Sequence, residues 1–124
     1  MKMESNYWLT TTAMPQATPG NLPSRADVAV IGAGFTGLSA ARTLAKKGVS
    51  VTVLEANSIG WGASSRNGGM VLTGLKLSAE TLAKRYGMEL TRRMYATSLE
   101  SIDLVEQIVR DENIDCKFSR CGHL

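Results

Sequence analysis

The stretch DVAVIGAGFTG, residues 27–37, decides the fold. Its first half, residues 27–31, is a short and mainly apolar run, which predicts a strand buried on both faces as in a parallel sheet. Its second half has the pattern G-x-G-x-x-G at Gly32, Gly34 and Gly37. In this pattern the first glycine makes a tight turn, the second lets the backbone approach a pyrophosphate, and the third lets a helix lie against the sheet.

The residues after the glycine pattern predict a helix and a second strand. Small and apolar residues recur three and four positions apart between Thr36 and Lys47, which gives a helix with one buried face. Gly48 follows, where a helix commonly ends in a left-handed residue. Residues 49–54 are rich in β-branched side chains and predict a strand. The order β-α-β predicts a Rossmann-like α/β domain with a parallel sheet and a right-handed crossover.

Glu55, at the end of the second strand, points to a nucleotide ligand. It lies 23 positions after Gly32. A carboxylate there can accept hydrogen bonds from both ribose hydroxyls of an adenosine, and its charge disfavours a 2′-phosphate. The helix N-terminus offers free N–H groups and the positive end of its dipole to a phosphate. Together these features predict a cofactor that contains ADP, without separating FAD from NAD.

The segment GWGASSRNGGM, residues 60–70, favours FAD over NAD because it resembles a segment of a known family. It resembles the flavin-contacting segment of the D-amino acid oxidase superfamily of FAD-dependent amine oxidoreductases, and within it the gamma-glutamylputrescine oxidase-like branch. The resemblance runs from about Tyr7 to the end of the chain and covers the N-terminal part of such an enzyme. It implies FAD as cofactor, bound covalently or noncovalently, and a separate substrate domain. It also implies oxidation of an amine or amino-acid C–N bond by hydride transfer to the flavin, giving an imine and then an aldehyde or keto product.

The chemistry of this segment agrees with a flavin site. Its serine hydroxyls can donate to phosphate oxygens, Arg66 can offset the pyrophosphate charge, and two adjacent glycines can expose N–H groups to a flavin or ribityl edge. For Trp61 we expect packing under the loop rather than stacking on the cofactor. No catalytic residue is assigned. The candidate cofactor-binding residues are Gly32, Gly34, Phe35, Thr36, Gly37, Glu55, Ala56, Gly62, Ala63, Ser64, Ser65, Arg66, Asn67, Gly68, Gly69 and Met70.

Composition limits the other function classes. A chain of 124 residues with 44% hydrophobic and 20% charged residues is typical of a single soluble domain. The net charge of +3 comes from scattered basic residues, which gives little support for a nucleic-acid partner. No apolar run is long enough to span a bilayer and no secretory signal is evident, so we expect a cytoplasmic protein. Cys116, Cys121 and His123 do not complete a metal ligand set, and we expect His123 to be a packing or surface residue.

Two parts of the chain are expected. Residues 1–24 contain all three prolines and show no helical pattern, so they predict a tail in which the pair Tyr7 and Trp8 docks somewhere. Residues 25–124 predict the N-terminal portion of an FAD-binding domain, with helices from Ser78 to Tyr86 and from Glu89 to Glu112 and a strand at 115–119.

Two alternatives remain open from the residues. The chain could be an NAD-binding module, or a non-catalytic orphan fragment. The resemblance implies a substrate that is an amine or amino acid, and we expect no turnover by these 124 residues alone.

Overall fold

The computed structural model describes residues 6–13, 15 and 22–121, so the expectation for His123 lies outside the described residues. The chain forms two compact units, residues 1–68 and 69–124. In chain order the first unit contains α1 (Tyr7–Thr11), β1 (Val28–Ile31), α2 (Phe35–Lys46), β2 (Val51–Leu54) and a 3-10 turn (Ala63–Ser65). The second contains α3 (Ala79–Tyr86) and α4 (Met88–Asp111).

The first unit is built on a β-α-β arrangement. Strands β1 and β2 pair in parallel, with Val28 opposite Val51 and Ile31 opposite Leu54. Helix α2 connects them and contacts both strands. It ends where the Lys47 N–H bonds back to the helix, followed by Gly48 at φ +81°. The expected α/β class with a parallel sheet is therefore confirmed.

Strand β1 is less buried than its apolar sequence predicts. A Cβ built on Gly37 would lie 3.2 Å from Val30 Cγ1, so Val30 faces α2. Side chains alternate along a strand, so Ile31 faces the other way. Ile31 is 79% exposed because, among the described residues, α2 covers one face of the sheet only. The expectation of burial on both faces is wrong for this part of the chain.

The amino-terminal segment contains a helix that its composition does not predict. Helix α1 begins after Asn6, whose Oδ1 accepts a hydrogen bond from Trp8 N at 3.1 Å. Asparagine is among the preferred residues at this capping position. The sequence predicts no helix before residue 24, and this prediction is wrong at Tyr7–Thr11.

The second unit consists mainly of two helices joined by one residue. Ser78 Oγ caps α3 by accepting from Thr81 N at 3.2 Å, as the sequence predicts. Gly87, at φ +83°, ends α3 and begins α4. Leu82 and Thr91 lie on either side of this joint and are each 4% exposed. Both expected helices are present, with bounds within about one residue of the prediction.

No strand forms at residues 115–119, so that prediction is wrong. Lys117 has φ +52°, which interrupts an extended backbone. Just beyond it, Arg120 pairs with Asp103 and Glu106 of α4, with N–O distances of 2.7 Å in both cases. The segment therefore returns to α4 instead of extending as a strand.

The described residues include neither a membrane-spanning helix nor a cluster of metal ligands. None of the described helices combines the length and hydrophobicity needed to cross a bilayer. In the same part of the chain, no three His, Cys, Asp or Glu side chains are grouped to hold a metal ion. Cys116 and Cys121 are exposed free thiols.

Candidate cofactor site

The glycine-rich turn leaves the sheet directly from β1. Gly32 N donates to Leu54 O at 2.7 Å, which extends the pairing of the two strands by one bond. Gly32 then adopts φ +97°, a conformation that favours glycine. A Cβ on Gly37 would lie 2.0 Å from Gly32 O, so the first turn of α2 rests directly on the backbone of the glycine-rich turn. Only a residue without a side chain permits this contact.

The N-terminus of α2 is bonded to a serine from a distant loop. Gly34 is the N-cap residue and provides no side-chain cap. Instead, Phe35 N donates to Ser64 Oγ at 2.9 Å. The first N–H groups of a helix lack partners within the helix and favour anions. Ser64 therefore sits at the end of α2 where a phosphate would be stabilised.

Glu55 is held against the turn by backbone N–H groups. Its Oε2 accepts from Ala33 N at 2.8 Å and its Oε1 accepts from Asn57 N at 2.9 Å. These bonds, the Ala33 bond first, hold the pKa of Glu55 below its usual 4.5, and the Ala56 N–H adds to the effect. An ionised carboxylate has about four lone-pair sites. Each oxygen therefore keeps acceptor capacity for a ligand hydroxyl.

The segment of residues 60–67, called the serine loop below, folds back against the glycine-rich turn. Gly60 N donates to Ala33 O at 2.9 Å. Ser65, which is buried at 8% exposure, donates from its hydroxyl to Gly60 O at 2.6 Å and accepts from Asn6 Nδ2 at 2.7 Å. A serine hydroxyl has one proton to donate. In this arrangement Ser65 therefore supports the loop and has no second proton for a phosphate.

Arg66 and Trp61 pair with each other within the serine loop. The Arg66 guanidinium carbon lies 4.5 Å from the centroid of the Trp61 ring, and its Nη1 donates to Trp61 O at 2.5 Å. Trp61 is 48% exposed, so the expectation that it packs under the loop is wrong. Its ring lies against Arg66 instead. The cation–π contact and the carbonyl bond together orient the guanidinium.

A cavity of about 200 Å³ opens between α1, the glycine-rich turn and the serine loop. Complete small-molecule pockets usually measure about 300–1,000 Å³. This cavity therefore has room for a part of a dinucleotide cofactor. Residues that line it include Trp8, Leu9, Ala33, Gly34, Ser64 and Ser65.

The remaining candidate residues have more varied positions. Phe35 and Thr36 begin α2 with exposed side chains, and Ala63 opens the 3-10 turn. Asn67 Nδ2 donates to Ser64 O at 2.9 Å, inside the serine loop. Gly69, at φ +71°, and the 66% exposed Met70 belong to the second compact unit. Gly62 lies before the 3-10 turn, and Gly68 is the last residue of the first unit.

Two residues at this site were not predicted from the sequence. Ala33 links Glu55 and Gly60 through its backbone. Asn6 reaches Ser65 from 59 positions away. Backbone groups and long-range contacts leave no local sequence pattern, although the apolar pair at Tyr7 and Trp8 did indicate that this segment docks.

Comparison with known proteins identifies the family. Residues 27–124 match the DAO family of FAD-dependent oxidoreductases. The chain belongs to this family. FAD is therefore its cofactor, and the site fits an ADP group on chemical grounds. The anion-favouring end of α2 and the acceptor carboxylate of Glu55 meet at Ala33, next to the side-chain-free Gly34.

Curated relatives are much longer than the chain. It is 41% identical over 95 residues to "Probable oxidoreductase OrdL" of Haemophilus influenzae, and 39% identical over 96 residues to "Gamma-glutamylputrescine oxidoreductase" of Escherichia coli. Each alignment covers 77% of this chain and 22% of the relative. The chain thus spans about a fifth of the length of these relatives. No solved structure matches it significantly.

Glu55→Gln tests the position of the carboxylate in this DAO-family site. We expect the FAD dissociation constant of the full-length protein to rise on the order of 10-fold, because a neutral amide is a weaker acceptor than a carboxylate. Calorimetric titration of the apoprotein with FAD measures this change. Asp27→Asn is the matched control, since Asp27 Oδ2 accepts from Ser50 N at 3.1 Å at the opposite end of the same strand pair. Equal FAD affinity in Glu55→Gln and wild type would mean that Glu55 serves only the turn.

Proposed function

We propose that the chain forms the Rossmann-like FAD-binding portion of an oxidoreductase that oxidises the C–N bond of an amine or amino acid. The observation that carries this proposal is the bond from Ala33 N to Glu55 Oε2. It joins the glycine-rich turn to a charged acceptor in a chain of an FAD-dependent family. We assign residues 25–124 to the FAD-binding part, residues 1–24 to an amino-terminal tail, and substrate binding to a separate domain.

Each part of the site has a defined task in this proposal. The N–H groups at the start of α2 bind the pyrophosphate, and Gly34 keeps the approach free of side-chain atoms. The Glu55 carboxylate accepts from the ribose hydroxyls, and its charge selects against a 2′-phosphate. Ser64, already bonded to Phe35 N at 2.9 Å, lies beside the bound anion. Arg66, two positions after Ser64, carries the positive charge nearest to Ser64 in the sequence.

The serine loop and the glycines after it are assigned to the flavin end of the cofactor. Ala63, Gly68 and Gly69 are small enough for backbone to lie against a planar ring. FAD, when bound, supplies the hydride acceptor for C–N oxidation. The residues of this chain contribute binding and orientation. The substrate is oxidised to an imine, and water converts the imine to an aldehyde or keto product with release of ammonia or an amine.

The substrate class is supported by one relative. The Escherichia coli relative is named for gamma-glutamylputrescine, a molecule with a free amine. The carbon that bears an amine nitrogen can transfer its hydrogen as a hydride to a flavin, which leaves a C=N bond, without a metal ion or a protein nucleophile. Amines and amino acids are therefore the substrate class that we assign.

The proposal is tested on the full-length protein. We expect it to purify with bound FAD, and anaerobic mixing with its amine substrate to bleach the flavin absorbance in one step. A panel of amines and amino acids, with NADH and NADPH as the comparison, measures this. Bleaching by a nicotinamide alone would assign the protein to another class of flavoprotein. Absence of flavin, together with binding of NAD, would favour a nicotinamide-binding module.

A further inference from the structure

The amino-terminal segment of residues 6–12, called the strap below, is bonded to the serine loop at two points. Asn6 Nδ2 donates to Ser65 Oγ at 2.7 Å. Trp8 Nε1 donates to Asn67 O at 2.7 Å. The two anchors hold the middle and the end of the serine loop, and both join residues 59 positions apart.

The strap has little structure of its own to stabilise. Helix α1 has five residues and none of them is buried. Isolated helices shorter than about 12 residues are marginal in water, so α1 depends on its cap and on its contacts with the loop. Tyr7 is 68% exposed, and its ring contacts Trp8 edge-on with 5.0 Å between centroids. The strap thus adds little to a hydrophobic core, and its side-chain bonds from Asn6 and Trp8 to distant residues both reach the serine loop.

The Asn6 anchor continues through hydrogen bonds to the nucleotide end of the site. Ser65, which accepts from Asn6, donates to Gly60 O at 2.6 Å. Gly60 N donates to Ala33 O, and Ala33 N donates to Glu55. One continuous series of bonds therefore connects the strap, the serine loop, the glycine-rich turn and the carboxylate.

The strap also forms a wall of the cavity. Trp8, Leu9 and Thr12 line it opposite Ala33 and Gly34 of the glycine-rich turn. A ligand group in this cavity would contact the strap as well as the turn. The strap therefore bounds the cavity and is also bonded to the serine loop.

We propose that the strap holds the serine loop in its cofactor-binding conformation, with Asn6 and Trp8 as positioning residues. The inference rests on the proposed function, because it assigns the serine loop to the flavin end of FAD. The proposal predicts different effects on the affinity for FAD and on the affinity for ADP. Loosening the strap should weaken binding of FAD more than binding of ADP, because ADP lacks the flavin group assigned to the serine loop and keeps the contacts assigned to the glycine-rich turn and Glu55.

The test uses Trp8→Phe in the full-length protein, since phenylalanine keeps an aromatic ring and removes the Nε1 donor. We expect the dissociation constant of FAD to rise roughly 5-fold, as for loss of one hydrogen bond, while that of ADP changes less than about 2-fold. In the apoprotein, hydrogen–deuterium exchange of the amides at 61–67 should become faster. Tyr7→Phe is the control, because it changes the exposed neighbour on the same helix and leaves both anchors in place.

Asn6→Asp provides a second variant that separates two roles of one side chain. The aspartate can still cap α1 by accepting from Trp8 N, but it cannot donate to Ser65 Oγ. We expect the same selective loss of FAD over ADP affinity. An equal loss for both ligands would indicate repulsion by the new charge and would count against the strap.

The outcomes separate the strap from the proposed function. If the wild-type protein binds no FAD, the proposed function fails, and the exchange of amides 61–67 alone decides whether the strap holds the loop. If the wild-type protein binds FAD and Trp8→Phe changes neither affinity nor exchange, the strap proposal is overturned.

Discussion

Gly37→Ala is expected to lower the free energy of unfolding of the protein by about 3 kcal/mol, since overpacking a tight contact costs about 1–3 kcal/mol and a backbone neighbour cannot rotate away. The new Cβ would lie 2.0 Å from Gly32 O and 3.2 Å from Val30 Cγ1. Helix α2 would have to move off β1 and the glycine-rich turn. Denaturant unfolding of the apoprotein measures the loss.

The control for this variant is Ser39→Ala, an exposed position on α2. Alanine is the better helix former there, so stability should change by less than about 0.5 kcal/mol. If Gly37→Ala unfolds at the same denaturant concentration as the control, helix α2 does not rest on the turn as described.

Gly34→Val is expected to abolish FAD binding while leaving the protein folded. A side chain at Gly34 extends into the space before the first N–H groups of α2, where the pyrophosphate is assigned. Its Cβ would lie 3.0 Å from Ser64 Oγ, the end of a side chain that can rotate. The strain can therefore be relieved in the apoprotein, unlike that at Gly37. We expect a fall in FAD affinity of at least about 100-fold, measured as the absorbance of flavin released from the purified protein.

A double-variant cycle distinguishes exclusion of the cofactor from displacement of Ser64. Gly34→Ala and Ser64→Ala are made separately and together, and the FAD dissociation constant of each is measured. If the Cβ excludes the pyrophosphate, the double variant should bind FAD more weakly than Ser64→Ala. Equal binding by those two proteins would attribute the whole effect of Gly34→Ala to its contact with Ser64.

The β-α-β unit could be predicted because its signals are local. An apolar run, a glycine pattern and a helical repeat each occupy fewer than about fifteen residues, and each maps to one element. Glu55 could be placed for the same reason, since the end of a parallel strand lies at the carboxyl edge of the sheet where the turn lies. The structure brings its carboxylate to 2.8 Å from Ala33 N.

The features that sequence reasoning missed depend on distant or backbone partners. The apolar run of β1 could not reveal that Ile31 would be exposed, because burial depends on what covers each face of the sheet. The residues at 115–119 have a sequence compatible with a strand, but the left-handed backbone of Lys117 and the ion pairs of Arg120 determine their course. The donation of Asn6 to Ser65 has no signature in either neighbourhood.

The single-residue joint at Gly87 gives the second unit an unusual geometry. Helix α4 has 24 residues and is about 36 Å long at about 1.5 Å per residue. A rotation of about 20° at the joint would carry the far end of α4 through about 12 Å. The packing of α3 against α4, which leaves Leu82 and Thr91 only 4% exposed beside the joint, opposes such a rotation. Gly87 is thus the pivot between α3 and α4. Its φ and ψ angles set the distance between α3 and the Asp103–Arg120 ion pair.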